Sequence, residues 1–279
     1  MAPRAWISAR LRDRRVTQVV RRVLDDFLPP VVREWRPFNR FLATRFHSAA
    51  FDLDFKERAF AMSPSEIAAA YAALEAGGAR YRDSDTTPGQ IAAIAAAARG
   101  RVLEVGCGNG AVAAVLAKAH PVVAVDVTVS SAREAQQRTR AADADATAPS
   151  HHPPPQPGDA PTVAAVSSSP REPRGAAVAV AGLPALPFRD GAFDTVVCAH
   201  TLEHIPDLFG AAAELRRVAH RVVVVVPRQR YYRYTVDYHL HFFPSAAPLV
   251  HLFGGPTSAQ ATVIDGDWLL IAGRSRPVP

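Results

Sequence analysis

Residues 102–110 read Val-Leu-Glu-Val-Gly-Cys-Gly-Asn-Gly, an apolar run carrying one carboxylate, Glu104, and then three glycines, Gly106, Gly108 and Gly110. An apolar helical run, 111–119, follows. A strand that turns through glycines directly into a helix lets a ligand approach the backbone closely, because no Cβ stands in the way. A second apolar run, 122–125, ends in Asp126, twenty positions after Gly106. That spacing puts a carboxylate at the tip of the neighbouring strand, where it accepts hydrogen bonds from ribose hydroxyls. The chemistry implied is binding of an adenosine-containing cofactor. A second group of reactive side chains lies downstream: His200, Glu203, His204, His239 and His241. A neutral imidazole takes up a proton near pH 7, so these histidines are candidates for a general base.

Two cofactors compete for the glycine turn. Gly106, Gly108 and Ala111 also satisfy the G-x-G-x-x-G/A pattern of NAD(P)-dependent oxidoreductases, a weak signal by itself. Glu104 argues against that alternative, since a carboxylate in the turn repels a pyrophosphate and attracts an ammonium group. The run Glu104–Gly110, followed by Val-Ala-Val-Asp at 123–126, resembles the first two motifs of class I S-adenosylmethionine (SAM) methyltransferases. Residues 183–205 contain Leu-Pro-Ala-Leu-Pro-Phe, Ala-Phe-Asp and Leu-Glu-His in that order. They resemble the corresponding block of the type 11 methyltransferase family, which includes quinone, lipid and small-metabolite methyltransferases.

The resemblance implies an α/β, Rossmann-like fold, a seven-stranded and mostly parallel sheet with a terminal antiparallel hairpin. It implies SAM as cofactor, with Glu104 on the methionine ammonium and Asp126 on the ribose. Gly106, Cys107, Gly108, Gly110, Val127, Gly182, Leu183 and His200 would complete the cofactor site. Many relatives carry an aspartate for the adenine amino group where this chain has Gly182, so that contact is absent or falls to the backbone at Leu183.

His200 and His241 are the expected catalytic residues, in contact with the acceptor or acting as base. Two other uses of the histidines stay open. His200-x-x-Glu203-His204 with His239 or His241 resembles the metal constellation of small-RNA 2′-O-methyltransferases, with His200 replacing its first carboxylate. Leu-Glu-His is also common in type 11 relatives that need no metal, where it helps start a helix. No residue is assigned here as a metal ligand. The loop 230–238 interleaves tyrosine with arginine, which suits a pocket wall for an aromatic acceptor or a base-stacking surface for RNA. The pocket wall is preferred, because the net charge is only +6 and its basic residues are scattered. The expected reaction is O- or C-methylation of a small-molecule or lipid-like acceptor; a non-catalytic SAM-binding protein is a further alternative.

The elements around these residues follow from pattern and punctuation. Thr87-Pro88-Gly89-Gln90 and Ser63-Pro64-Ser65-Glu66 read as capping boxes with proline at the first helical position. Asp265-Gly266 between two apolar runs reads as a hairpin turn. Val16 to Phe27 has helical spacing, stopped by Pro29-Pro30. Phenylalanines interleaved with arginines follow, suggesting a helical cap packed on the domain or a surface lying at a membrane interface. The chain therefore divides into an N-terminal helical extension, 1–84, and a SAM-dependent methyltransferase domain, 85–279. Residues 141–174, rich in Ala, Asp, Pro and Ser, read as a disordered insertion. No run approaches the roughly 20 apolar residues that span a bilayer. Arginines interrupt the N-terminus early, and Cys107 and Cys198 suit free thiols, so a cytoplasmic protein is expected.

Overall fold

The computed structural model describes residues 27–46, 52–76, 86–147, 176–234 and 238–273. Seven strands are present among them: β1 (Val102–Val105), β2 (Val122–Asp126), β3 (Ala177–Val180), β4 (Phe193–Ala199), β5 (Ala219–Val226), β6 (Ala259–Ile264) and β7 (Asp267–Gly273). They form one sheet in the order β3-β2-β1-β4-β5-β7-β6. β1, β2, β4 and β5 are nearly continuous apolar runs, the signature of strands covered on both faces. β1 lies parallel to β2 and β4, with Glu104 opposite Ala124 and Val197. β7 runs antiparallel to both β5 and β6. Asp265 and Gly266 turn the hairpin with φ of 50° and 89°, the positive pair that a tight two-residue turn requires. The expected α/β sheet with a terminal antiparallel hairpin is the observed one.

Helices cover both faces. α1 (Pro30–Arg33), α2 (Arg36–Phe46), α3 (Phe55–Ala59) and α4 (Pro64–Ala76) precede the sheet. α5 (Pro88–Ala97), α6 (Ala111–Leu116), α7 (Val129–Thr147), α8 (Leu208–Val218) and α9 (Ala246–Leu252) pack on it. Alternation along β1 divides the interior: Leu103 and Val105 join the core with Val196, Leu215 and Leu249. Val102 joins the opposite core with Ile94, Val112, Leu116 and Val223. Both anticipated capping boxes form: Thr87 and Gln90 satisfy each other's backbone N–H, and Ser63 and Glu66 do likewise.

Two boundaries differ from the sequence reading. α6 stops at Leu116, short of residue 119. α7 continues to Thr147, seven residues into the stretch read as a disordered insertion; its Ala-Ala-Asp-Ala-Asp-Ala end keeps enough helix-forming alanine to propagate the last turns. Residues 148–174, and the helix expected over 16–27 apart from Phe27, lie outside the described residues.

Long-range side-chain bonds fix the loops at one end of the sheet. Leu186 N–H donates to Glu214 of α8 at 2.7 Å, and Arg217 pairs with Asp190 at 2.7 Å. These two hold the Leu-Pro-Phe segment against α8. Trp268 Nε1–H donates to the Phe243 carbonyl at 2.8 Å, which ties the segment after β5 to the hairpin. α3 packs Phe55 on Tyr238, with ring centroids 4.1 Å apart, so part of the N-terminal extension seats on the same segment.

Candidate active site

The C-terminal ends of β1, β2 and β4 meet at the glycine turn. Gly106 and Cys107 N–H both donate to the Val125 carbonyl, at 2.9 and 3.0 Å. The turn is thereby locked to β2. Gly108 N–H donates to Asp126 Oδ2 at 2.9 Å, while Asp126 Oδ1 accepts from Thr128 N–H at 3.0 Å. The carboxylate at the tip of β2 is oriented by backbone on both sides. The three glycines stand in three different surroundings. At Gly106, φ is +73° and a Cβ would collide with the Thr201 side chain; at Gly110, φ is +77° and it would meet the α7 backbone at Ala135. Only at Gly108 is the space open. Two of the glycines therefore serve close packing within the protein, and Gly108 borders the open side.

Glu104 is buried, and its Oε2 has no hydrogen-bond partner among the described residues. Burial, and next the charge of Asp126, push its carboxyl up to about 8. A buried carboxyl with an unmet acceptor, beside an oriented second carboxylate, fits a ligand carrying an ammonium group and a diol. Cys107 is buried, and burial raises its thiol strongly. Val127 is exposed and abuts Gly182, where a Cβ would strike Val127 Cγ1. Leu183 buries its side chain in the core, leaving only its backbone for a ligand.

The histidines separate into different surroundings. His200 has φ of 51°, and its side chain is 7% exposed. Its Nδ1 lies 3.6 Å from Glu203, and its Nε2 lies 3.8 Å from Asp267 and 3.3 Å from Gln90 Oε1. The ring is thus held between two buried carboxylates, one of them on the hairpin. His241 donates Nε2–H to the Ile205 carbonyl at 2.9 Å, which leaves the lone pair on Nδ1. Burial is the main cause lowering its affinity for protons. Of the two expected catalytic residues, His241 is held by a backbone carbonyl, while His200 is tied into a carboxylate network. His204 and His239 approach Glu203 instead: one ligand atom from each of the three lies within 4.8 Å of the others. Neither His200 nor His241 belongs to that group.

The tyrosine-rich loop is largely turned inward. Tyr232, Tyr234 and Tyr238 are 8%, 9% and 4% exposed, and Tyr231 alone is well exposed. Arg228 lies over Trp268, and Arg233 packs over Tyr234 with Glu57 within 3.4 Å. Lys56 of α3 is the surprise. It is buried, donates to the Tyr232 carbonyl at 2.8 Å, and sits 3.7 Å over the Tyr231 ring and 4.5 Å over Phe242. Burial lowers its ammonium to about 8, against the partial support of Glu34 and Glu57.

Sequence reasoning missed four residues that shape the site: Lys56, Gln90, Thr201 and Asp267. Gln90 was visible only as half of a capping box, although its amide also donates to Asp267 at 3.0 Å. Lys56 carried one faint signal, being one of two lysines in a chain with 30 arginines.

Residues 79–253 match the family described as Methyltransferase domain. No curated protein matches the sequence. Among solved structures, a SAM-dependent methyltransferase from Aquifex aeolicus aligns at 13% identity and a TM-score of 0.45, over 76% of this chain and 98% of that one. One from Methanosarcina mazei aligns at 18% identity and a TM-score of 0.44, over 68% and 99%. The YcgJ protein from Bacillus subtilis aligns at 18% identity and 0.36, over 48% and 49%; the chain spans about half the length of that relative.

Proposed function

The chain belongs to the class I, SAM-dependent methyltransferases, and from that premise we propose that it methylates an oxygen or carbon of a small or lipid-like acceptor. SAM supplies a methyl group already activated for displacement, so the protein's task is to bind, orient and dry the site. Glu104 would hold the methionine ammonium and Asp126 the ribose hydroxyls, with Gly108 on the open side of the turn. A bound ammonium favours the ionised form of Glu104, so this carboxyl would give up its proton as the cofactor binds. His241 Nδ1 would accept the proton that an acceptor hydroxyl or acidic carbon releases.

The observation that carries the acceptor class is the inward packing of the 228–243 segment. Three of its four described tyrosines are buried, and Arg228 and Arg233 lie against protein rings. A single-stranded nucleic acid needs exposed rings and outward cations, so this segment suits the wall of an apolar or aromatic pocket better. A lipid-like acceptor also fits the exposed Phe27, Val31, Trp35 and Phe41 at the N-terminal side, which would touch a lipid surface peripherally. No helix among the described residues is long and apolar enough to cross a membrane.

The test is transfer from SAM bearing a labelled methyl group in an extract of the source cells. Label is expected in the organic or small-molecule fraction. Label confined to RNA or protein would overturn the acceptor class. Cofactor binding with no label in any fraction would favour a non-catalytic role.

A further inference from the structure

We propose that Glu203, His204 and His239 form a binding site for one divalent first-row transition ion, with Zn²⁺ the best match. The three ligand atoms lie within 4.8 Å of one another. A tetrahedral ion at about 2.1 Å from each ligand brings such atoms to about 3.4 Å apart, so side-chain closure of up to about 1.4 Å suffices. The tautomers suit an ion as well. His204 Nδ1 faces the Tyr238 carbonyl at 3.3 Å, and a carbonyl only accepts, so the proton sits on Nδ1 and the lone pair on Nε2. His239 Nδ1 faces Gln229 Oε1 at 2.7 Å, which makes the same assignment. Second-side hydrogen bonds of this kind fix ring orientation and raise ligand basicity at metal-binding histidines.

The backbone holds the set together across 35 residues of sequence. Leu240 and His241 N–H both donate to the Glu203 carbonyl, at 2.8 and 3.0 Å. The loop that supplies His239 is therefore pinned to the turn that supplies Glu203 and His204. Charge points the same way. Glu203 is 1% exposed, and His200 is shared between it and buried Asp267. A cation beside Glu203 would offset the cost of burying its carboxylate. Two imidazoles and a carboxylate suit zinc and its neighbours rather than magnesium or calcium, and three protein ligands leave a position for an oxygen ligand. Such a site would join the end of β4 to the acceptor-side loop. It is independent of the acceptor class, because it is measured without SAM or acceptor.

The full chain, stripped by chelation and dialysed, would be titrated with ZnCl₂ alone, and bound metal counted by elemental analysis. One ion per chain is expected in the wild type and in the double variant His151→Ala/His152→Ala, which removes the consecutive histidines outside the proposed site. At least about tenfold weaker binding is expected in Glu203→Gln, His204→Gln and His239→Ala, each checked for folding by its binding of S-adenosylhomocysteine. Should those variants fail to fold, the Co²⁺-loaded wild type decides: intense visible bands of a tetrahedral site support the proposal. Weak octahedral bands, no stoichiometric ion in the wild type, full retention in His239→Ala, or loss in the 151/152 variant would each overturn it.

Discussion

The two halves of this site are built on different principles. The proposed cofactor half, Glu104 to Gly110 with Asp126, is assembled from neighbouring strand tips, and its bonds are mostly between backbone and short side chains. The proposed acceptor half is assembled from distant segments. Lys56 reaches Tyr232 across 176 residues, Phe55 stacks on Tyr238, and Gln90 reaches Asp267 across 177. The first half depends on a fixed turn that tolerates no added volume at Gly106 or Gly110. The second depends on side chains from the N-terminal cap, the 228–243 segment and the hairpin finding one another.

That contrast can be broken most severely at the turn. Gly106→Ala places a Cβ against Thr201 at φ +73° and should cost about 2–3 kcal/mol of stability. Thermal unfolding would show it, together with loss of S-adenosylhomocysteine binding. Gly108→Ala, facing open space, should cost only about 1 kcal/mol for its backbone conformation. Equal losses at the two positions would remove the packing explanation.

Glu104 offers the next largest effect. Its carboxyl titrates near 8 in the free protein and would be ionised beside the bound ammonium. Binding at pH 7 should therefore release close to one proton, and affinity should rise about tenfold per pH unit below 8. The sign follows from the raised value: ionisation opposes the folded free state above the ordinary carboxylate range, and the ligand reverses that penalty. Calorimetry in buffers of different ionisation enthalpy would measure the proton. Glu104→Gln should bind more weakly with no proton released, and an unchanged proton count in that variant would remove the assignment.

Smaller effects belong to the acceptor half. Lys56→Met removes the hydrogen bond to Tyr232 and the ammonium over Tyr231 and Phe242, at about 1 kcal/mol of stability. Turnover of the acceptor that the labelling experiment yields should fall several-fold. The least effect is expected at Arg36→Ala, whose pair with Asp54 at 2.6 Å is exposed; the melting curve should move by less than about 0.5 kcal/mol.

The same contrast explains what was legible beforehand. The glycine turn, Asp126, both capping boxes and the Asp265-Gly266 hairpin are local patterns, so their residue types and spacing carry the structure. His200 stood out as a candidate, but its carboxylate partner Asp267 could not, because nothing local links positions 67 apart. The grouping of His204 with His239 instead of His241 depends on how the loop after β5 is pinned to the Glu203 carbonyl. Lys56 in an aromatic enclosure depends on where the cap docks. Long-range packing chose among residues that the sequence could only offer as a set.

The most direct test of the division between halves is the affinity for S-adenosylhomocysteine, measured by calorimetry in the wild type, Asp126→Ala and Lys56→Met. Asp126→Ala is expected to weaken binding more than about tenfold, or ~1.4 kcal/mol, with Lys56→Met within a factor of two of the wild type. Unchanged affinity in Asp126→Ala, or a loss in Lys56→Met as large as that in Asp126→Ala, would contradict it.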